Sequence, residues 1–122
     1  MLAPALSLAL ALCLHATPVA ADEIDPSEAF RSACGPCHAT NRGHRIGPSL
    51  LGVNGRLSGT APGFDYSPAM RALAVRWDAD SIDRFLVTPK AMVPGTSMSF
   101  AGMKDSARRR AIVEYVIGLR RD

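Results

Sequence analysis

Cys34-Gly35-Pro36-Cys37-His38 constrains this chain more than any other stretch. A C-x-x-C-H pentad is the attachment signature of a c-type haem. The two thiols add across the haem vinyl groups, and the adjacent imidazole lies under the iron. Two other chemistries share part of the pattern. Cys-Gly-Pro-Cys is also a thioredoxin-like dithiol, which needs a strand before it and a βαβ frame around it. The residues before Cys34 read as a helix instead: Asp25 is an N-cap, Pro26 suits the first helical position, and Glu28 closes a capping box. A zinc site needs about four converging ligands. Beyond the leader-like first 21 residues the Cys and His donors are Cys34, Cys37, His38 and His44, and neighbouring Cys37 and His38 converge poorly on one ion.

Residues 1–21 are uncharged and rich in Ala and Leu, with an apolar run over 5–14 bracketed by Pro4 and Pro18. That run falls short of the roughly 20 residues of a membrane span and suits the apolar region of a secretory signal. Val19-Ala20-Ala21 supplies small residues for cleavage, so 1–21 is expected to be a signal peptide and 22–122 the mature domain, in the periplasm. The n-region lacks Lys or Arg, which keeps an uncleaved anchor as the alternative. A mature part of about 100 residues holds one modest core, and chains of that size often need a staple. A covalently held haem is one.

Every charged residue lies in the mature part, whose formal charge is +3. Two haem propionates would bring it near neutrality. Arg108-Arg109-Arg110 falls in a helical pattern and reads as a solvated face, and no interleaved aromatics offer base stacking, so no nucleic-acid partner is expected.

The mature pattern is all-α. Four helices are expected, over 26–37, over 68–73 after Ser67, after Trp77 with Asp78 as cap and Ile82, Phe85 and Leu86 on one face, and from after Asp105 to about 120 with Ile112, Tyr115, Val116 and Leu119 apolar. Thr88-Pro89 stops the third. Between them lie Gly- and Pro-dense loops over 43–63 and 89–102. Loops this long are unusual in so small a domain, and they make sense wrapped around an internal cofactor.

A low-spin haem that carries electrons needs a ligand on its second face. Met70, Met92, Met98, Met103 and His44 are the candidates, and Met98 alone sits in a turn-bounded loop, 93–102. Here the chain resembles a class I cytochrome c of the mitochondrial and bacterial c2/c550 type. The resemblance rests on Gly47-Pro48-Ser49-Leu50-Leu51-Gly52, Asn54-Gly55-Arg56, Ala61-Pro62-Gly63-Phe64-Asp65-Tyr66-Ser67, Trp77 and Pro94-Gly95-Thr96-Ser97-Met98, in family order and at nearly family spacing. It implies the small class I fold around one haem c attached through Cys34 and Cys37, with His38 and Met98 as iron ligands and the Pro48 carbonyl accepting from the other ring nitrogen of His38. Arg56, Tyr66 and Trp77 match the positions that hold the propionates. Thr96 and Ser67 match nearby hydroxyls, and Phe30 and Tyr115 match the crossing of the first and last helices.

The chain departs from that family at several places. Phe85 stands where Tyr is frequent and Met70 where Asn is frequent, which predicts a pocket without the family's buried water. Pro26 replaces the Gly usual at the helix crossing, which argues against the close approach of the terminal helices. Lys90, Lys104 and Arg45 are the few matches to the cationic ring around the haem edge, and Asp105 opposes them. The implied function is a monomeric one-electron carrier, not an enzyme, that docks transiently with an oxidase, reductase or dehydrogenase. A haem sensor or peroxidase with a labile Met98, and a fixed subunit of a larger complex, are the alternatives.

Overall fold

The computed structural model describes residues 1–4, 12–19 and 22–120; residues 5–11 of the expected leader and its cleavage residues Ala20 and Ala21 lie outside them. Five α-helices and no strand are found among the described residues: α1 Pro26–Ala33, α2 Pro68–Ala72, α3 Ala79–Val87, α4 Pro89–Met92 and α5 Ser106–Ile117. An isolated antiparallel bridge pairs Leu57 with Arg76. None of the described helices is long and apolar enough to cross a membrane.

Asp25 caps α1 by accepting from the Ser27 and Glu28 amides. Glu28 does not close the expected capping box: its carboxylate turns outward to Arg31 at 2.6 Å. The reciprocal box occurs at α3, where Asp78 accepts from Ser81 N at 2.8 Å and Ser81 Oγ accepts from Asp78 N at 2.9 Å. α1 ends at Ala33, earlier than expected, because Pro36 disfavours helical backbone at Gly35. The last turn widens there, Phe30 O accepting from both Cys34 N at 2.8 Å and Gly35 N at 3.0 Å. α2 starts under Ser67, whose Oγ accepts from Met70 N. Thr88 ends α3 as expected, but Pro89 then opens the short helix α4, which the sequence reading placed in a loop. Proline stops a helix behind it and suits the first position of one ahead. α5 stops at Ile117 with Gly118 as cap, short of residue 120.

The terminal helices do approach closely, against the expectation drawn from Pro26. α1 packs on α5, Phe30 and Tyr115 have ring centroids 4.8 Å apart, and Arg108 Nη2 donates to Ser32 Oγ at 2.7 Å. Pro26 opens α1 at its N-terminal end and does not hold the two apart. α3 packs on the same α5. The core gathers Phe30, Trp77, Ile82, Phe85, Leu86, Val93, Ile112, Val113 and Val116. The loops fold over it with their own hydrogen bonds. Gly55 N donates to Trp77 O at 2.7 Å, Trp77 N to Arg56 O at 2.9 Å, and Gly52 N to Leu119 O at 2.7 Å.

Candidate cofactor site

A cavity of about 310 Å³ opens between α1, α3, α5 and the loops. Cys34, Cys37, His38, Pro48, Arg56, Tyr66, Trp77, Thr96 and Met98 all line it. The structure thus brings together every residue expected at the site, from positions up to 64 apart in sequence.

The pentad forms a single turn. His38 N donates to Cys34 O at 2.9 Å and Cys37 N donates to the same oxygen at 3.1 Å, which sets both thiols and the imidazole on one wall. His38 Nδ1 lies 2.8 Å from Pro48 O. A carbonyl can only accept, so Nδ1 carries the proton and Nε2 keeps its lone pair. Burial pushes the His38 pKa down, against the Pro48 bond, and favours the neutral ring that can bind a metal. Gly47 lies flat against the ring: a Cβ there would sit 2.5 Å from His38 Cε1 and 2.8 Å from Nδ1.

The thiol chemistry argues against the rival dithiol. A redox-active Cys needs a depressed pKa. Burial pushes the Cys34 thiol up to about 11, Cys37 adds to the rise, and Arg108 opposes it. No strand precedes the pentad among the described residues. Nor do they contain a group of three or more His, Cys, Asp and Glu placed to hold a metal. His44 is engaged at both ring nitrogens, Nε2 donating to Pro62 O at 2.7 Å and Nδ1 accepting from Ser49 N at 2.9 Å. Of the sulfur candidates, Met70 and Met98 line the cavity, whereas Met92 and Met103 do not.

The polar residues cluster against an otherwise apolar wall. Arg56 is held by loop carbonyls, Nη1 to Leu51 O at 3.3 Å and Nη2 to Ser49 O at 3.2 Å. Tyr66 Oη accepts from Ala61 N at 3.1 Å, which leaves its own proton to donate. Trp77 is buried on the wall. Thr96 Oγ1 accepts from Met98 N at 3.2 Å and so fixes the loop that carries the thioether. An apolar plate with two carboxylates on one edge fits this donor set: two thiols, an imidazole lone pair and a thioether, with Arg, Tyr and Trp donors set among aliphatic walls.

Several wall residues were read from the sequence only as helix faces. Ile82 and Leu86 of α3 and Ile112 and Val116 of α5 line the cavity as well as the core. Periodicity marks such residues as buried without saying what they are buried against. Phe64, Ile46 and Phe100 come from loops and carried no periodic signal.

No family model matches the chain. Individual relatives do. A cytochrome c of Euglena viridis is 46% identical over 88 residues, covering 71% of this chain and 86% of that protein. The c-type cytochrome cy of Rhodobacter capsulatus is 39% identical over 109 residues, and the alignment spans 81% of this chain but 55% of that protein. Among solved structures, cytochrome cH from Methylobacterium extorquens superimposes with a TM-score of 0.72 at 33% identity, covering 79% of this chain and 97% of that one.

Proposed function

This chain belongs to the class I cytochrome c family, and from that premise we propose that it is a periplasmic one-electron carrier whose haem iron is held by His38 and Met98. It is an electron-transfer protein, not an enzyme, with one haem c attached through Cys34 and Cys37. Members of the family dock transiently with redox partners.

Bound haem supplies the Fe(II)/Fe(III) couple. The chain's own residues do the rest. Pro48 O holds the Nδ1 proton of His38 and keeps Nε2 aimed as a donor. Met98 offers a soft thioether, which favours the reduced metal and raises the potential. Arg56, Tyr66 and Trp77 supply donors for the propionates. The aliphatic walls exclude water, so little needs to reorganise when the charge changes.

One observation supports this reading above the others: His38, already bonded to Pro48, shares a single largely apolar cavity with Met98 and both thiols. The proposed periplasmic site rests on the leader-like composition of 1–21. A visible spectrum of periplasm-matured protein in both redox states tests the proposal. Expected are a haem c spectrum, a low-spin ferrous form and a ferric sulfur-to-iron band that Met98→Ala abolishes. A colourless product, or an absorption unchanged by Met98→Ala, would overturn it. N-terminal sequencing should begin at Asp22. Rapid carbon monoxide binding by the ferrous protein would favour the ligand sensor instead.

A further inference from the structure

One ion pair stands apart from the rest among the described residues. Glu28–Arg31, Asp65–Arg71 and Asp80–Arg84 are exposed on both sides, and such pairs contribute little. Arg109 Nε lies 2.7 Å from Asp83 Oδ1, with the Arg109 side chain only 13% exposed and Asp83 37%. The same guanidinium donates through Nη1 to Met103 O at 2.9 Å and to Lys104 O at 3.4 Å. A largely desolvated cation therefore ties α3 and α5 to the end of the loop that carries Met98.

The rest of that loop is sparsely held. Its entry is fixed by Val93 N to Pro89 O at 2.8 Å and Thr96 N to Val93 O at 3.0 Å. Between Thr96 and Met103, the backbone hydrogen bond found among the described residues is Met98 N to Thr96 Oγ1. At its exit, Met103 N donates to Leu86 O at 2.8 Å, and Gly102, at φ 115°, lies against the Val87 backbone where a Cβ would collide. The Arg109 contacts fall on this exit. Without them, two carbonyls lose a charged donor and the loop can lift while α1, α3 and α5 stay packed.

We propose that Asp83 and Arg109 form a latch, a pair of positioning residues that sets how readily Met98 leaves the iron. The inference rests on the His38/Met98 ligation proposed above. Neither residue lines the cavity, so the latch acts through the loop and not through contact with the cofactor.

The test uses ferric, periplasm-matured holoprotein and free imidazole as the probe. The limiting substitution rate at saturating imidazole reports loop opening, and the sulfur-to-iron band reports Met98. Asp83→Asn should raise that rate roughly tenfold or more, as expected for a weakened charge-assisted contact. Arg109→Lys keeps the charge but loses the planar fork, and should raise the rate by less than Arg109→Ala does. If Arg109→Ala fails to fold, Asp83→Asn carries the test. Arg84→Ala, which removes the exposed pair on the same helix, should leave the rate unchanged. A wild-type band with an unchanged rate in Asp83→Asn overturns the latch alone, as does an equal rise in Arg84→Ala. A wild-type ferric protein with no such band overturns the ligation reading and the latch with it.

Discussion

Gly47 shows how one absent side chain serves the site. The glycine backbone lies across the face of His38 while the next residue, Pro48, accepts the Nδ1 proton. Gly47→Ala would push a methyl group into the ring and move it off Pro48 O. We expect overpacking of about 1–3 kcal/mol, read as a lower melting temperature of the holoprotein together with a shifted Soret band. A variant matching wild type in both would show that the loop yields. Phe85 is the second informative residue. Its ring packs 5.4 Å from that of Trp77, and Met70 lines the same cavity. No hydroxyl or amide comes from either, and a buried water needs two to four polar partners. A high-resolution holoprotein structure is expected to show no ordered water between Phe85, Met70 and Met98; one found there refutes this.

Helix termini and helix crossings set the frame around those residues. Asp78 and Asp25 both have carboxyl pKa values below the ordinary 3.8, Asp78 chiefly through the Ser81 amide and Asp25 chiefly through the Ser27 hydroxyl. A depressed folded pKa means stabilisation that is complete above the unfolded value and lost as pH falls through the folded one. The melting temperature of wild type should therefore exceed that of Asp78→Ala at neutral pH, and the gap should close as pH drops below about 3.8. A gap constant across that range would deny the cap its charge. At the crossing of α1 and α5, Phe30 is 3% exposed and packed against Tyr115 with the two rings tilted at 34°. Phe30→Ala should cost about 3–5 kcal/mol, measured by denaturant titration of the holoprotein.

The molecule as a whole depends on what fills its centre. Much of the core, including Trp77, Ile82, Phe85, Leu86, Ile112 and Val116, is also cavity wall. Cys34→Ala/Cys37→Ala, which removes both attachment points, should therefore leave a largely unfolded chain by far-ultraviolet circular dichroism. Native helicity without attached haem would show that the walls can close on their own.

The pentad, the N-caps at Asp25, Ser67 and Asp78 and the apolar stripes of α3 and α5 could be read from the sequence, because each is a local pattern with a local cause. The second-ligand loop was legible through its turn residues and its likeness to a known family. Other features depended on contacts between distant segments, which carry no periodic or spacing signal. Spatial proximity left Met70 and Met98 at the cavity and Met92 and Met103 outside it. Packing, not the Gly-to-Pro change at position 26, decided that the terminal helices meet. A guanidinium inside an apparently solvated Arg108-Arg109-Arg110 run turned inward to Asp83 and two carbonyls, because folding placed those acceptors there.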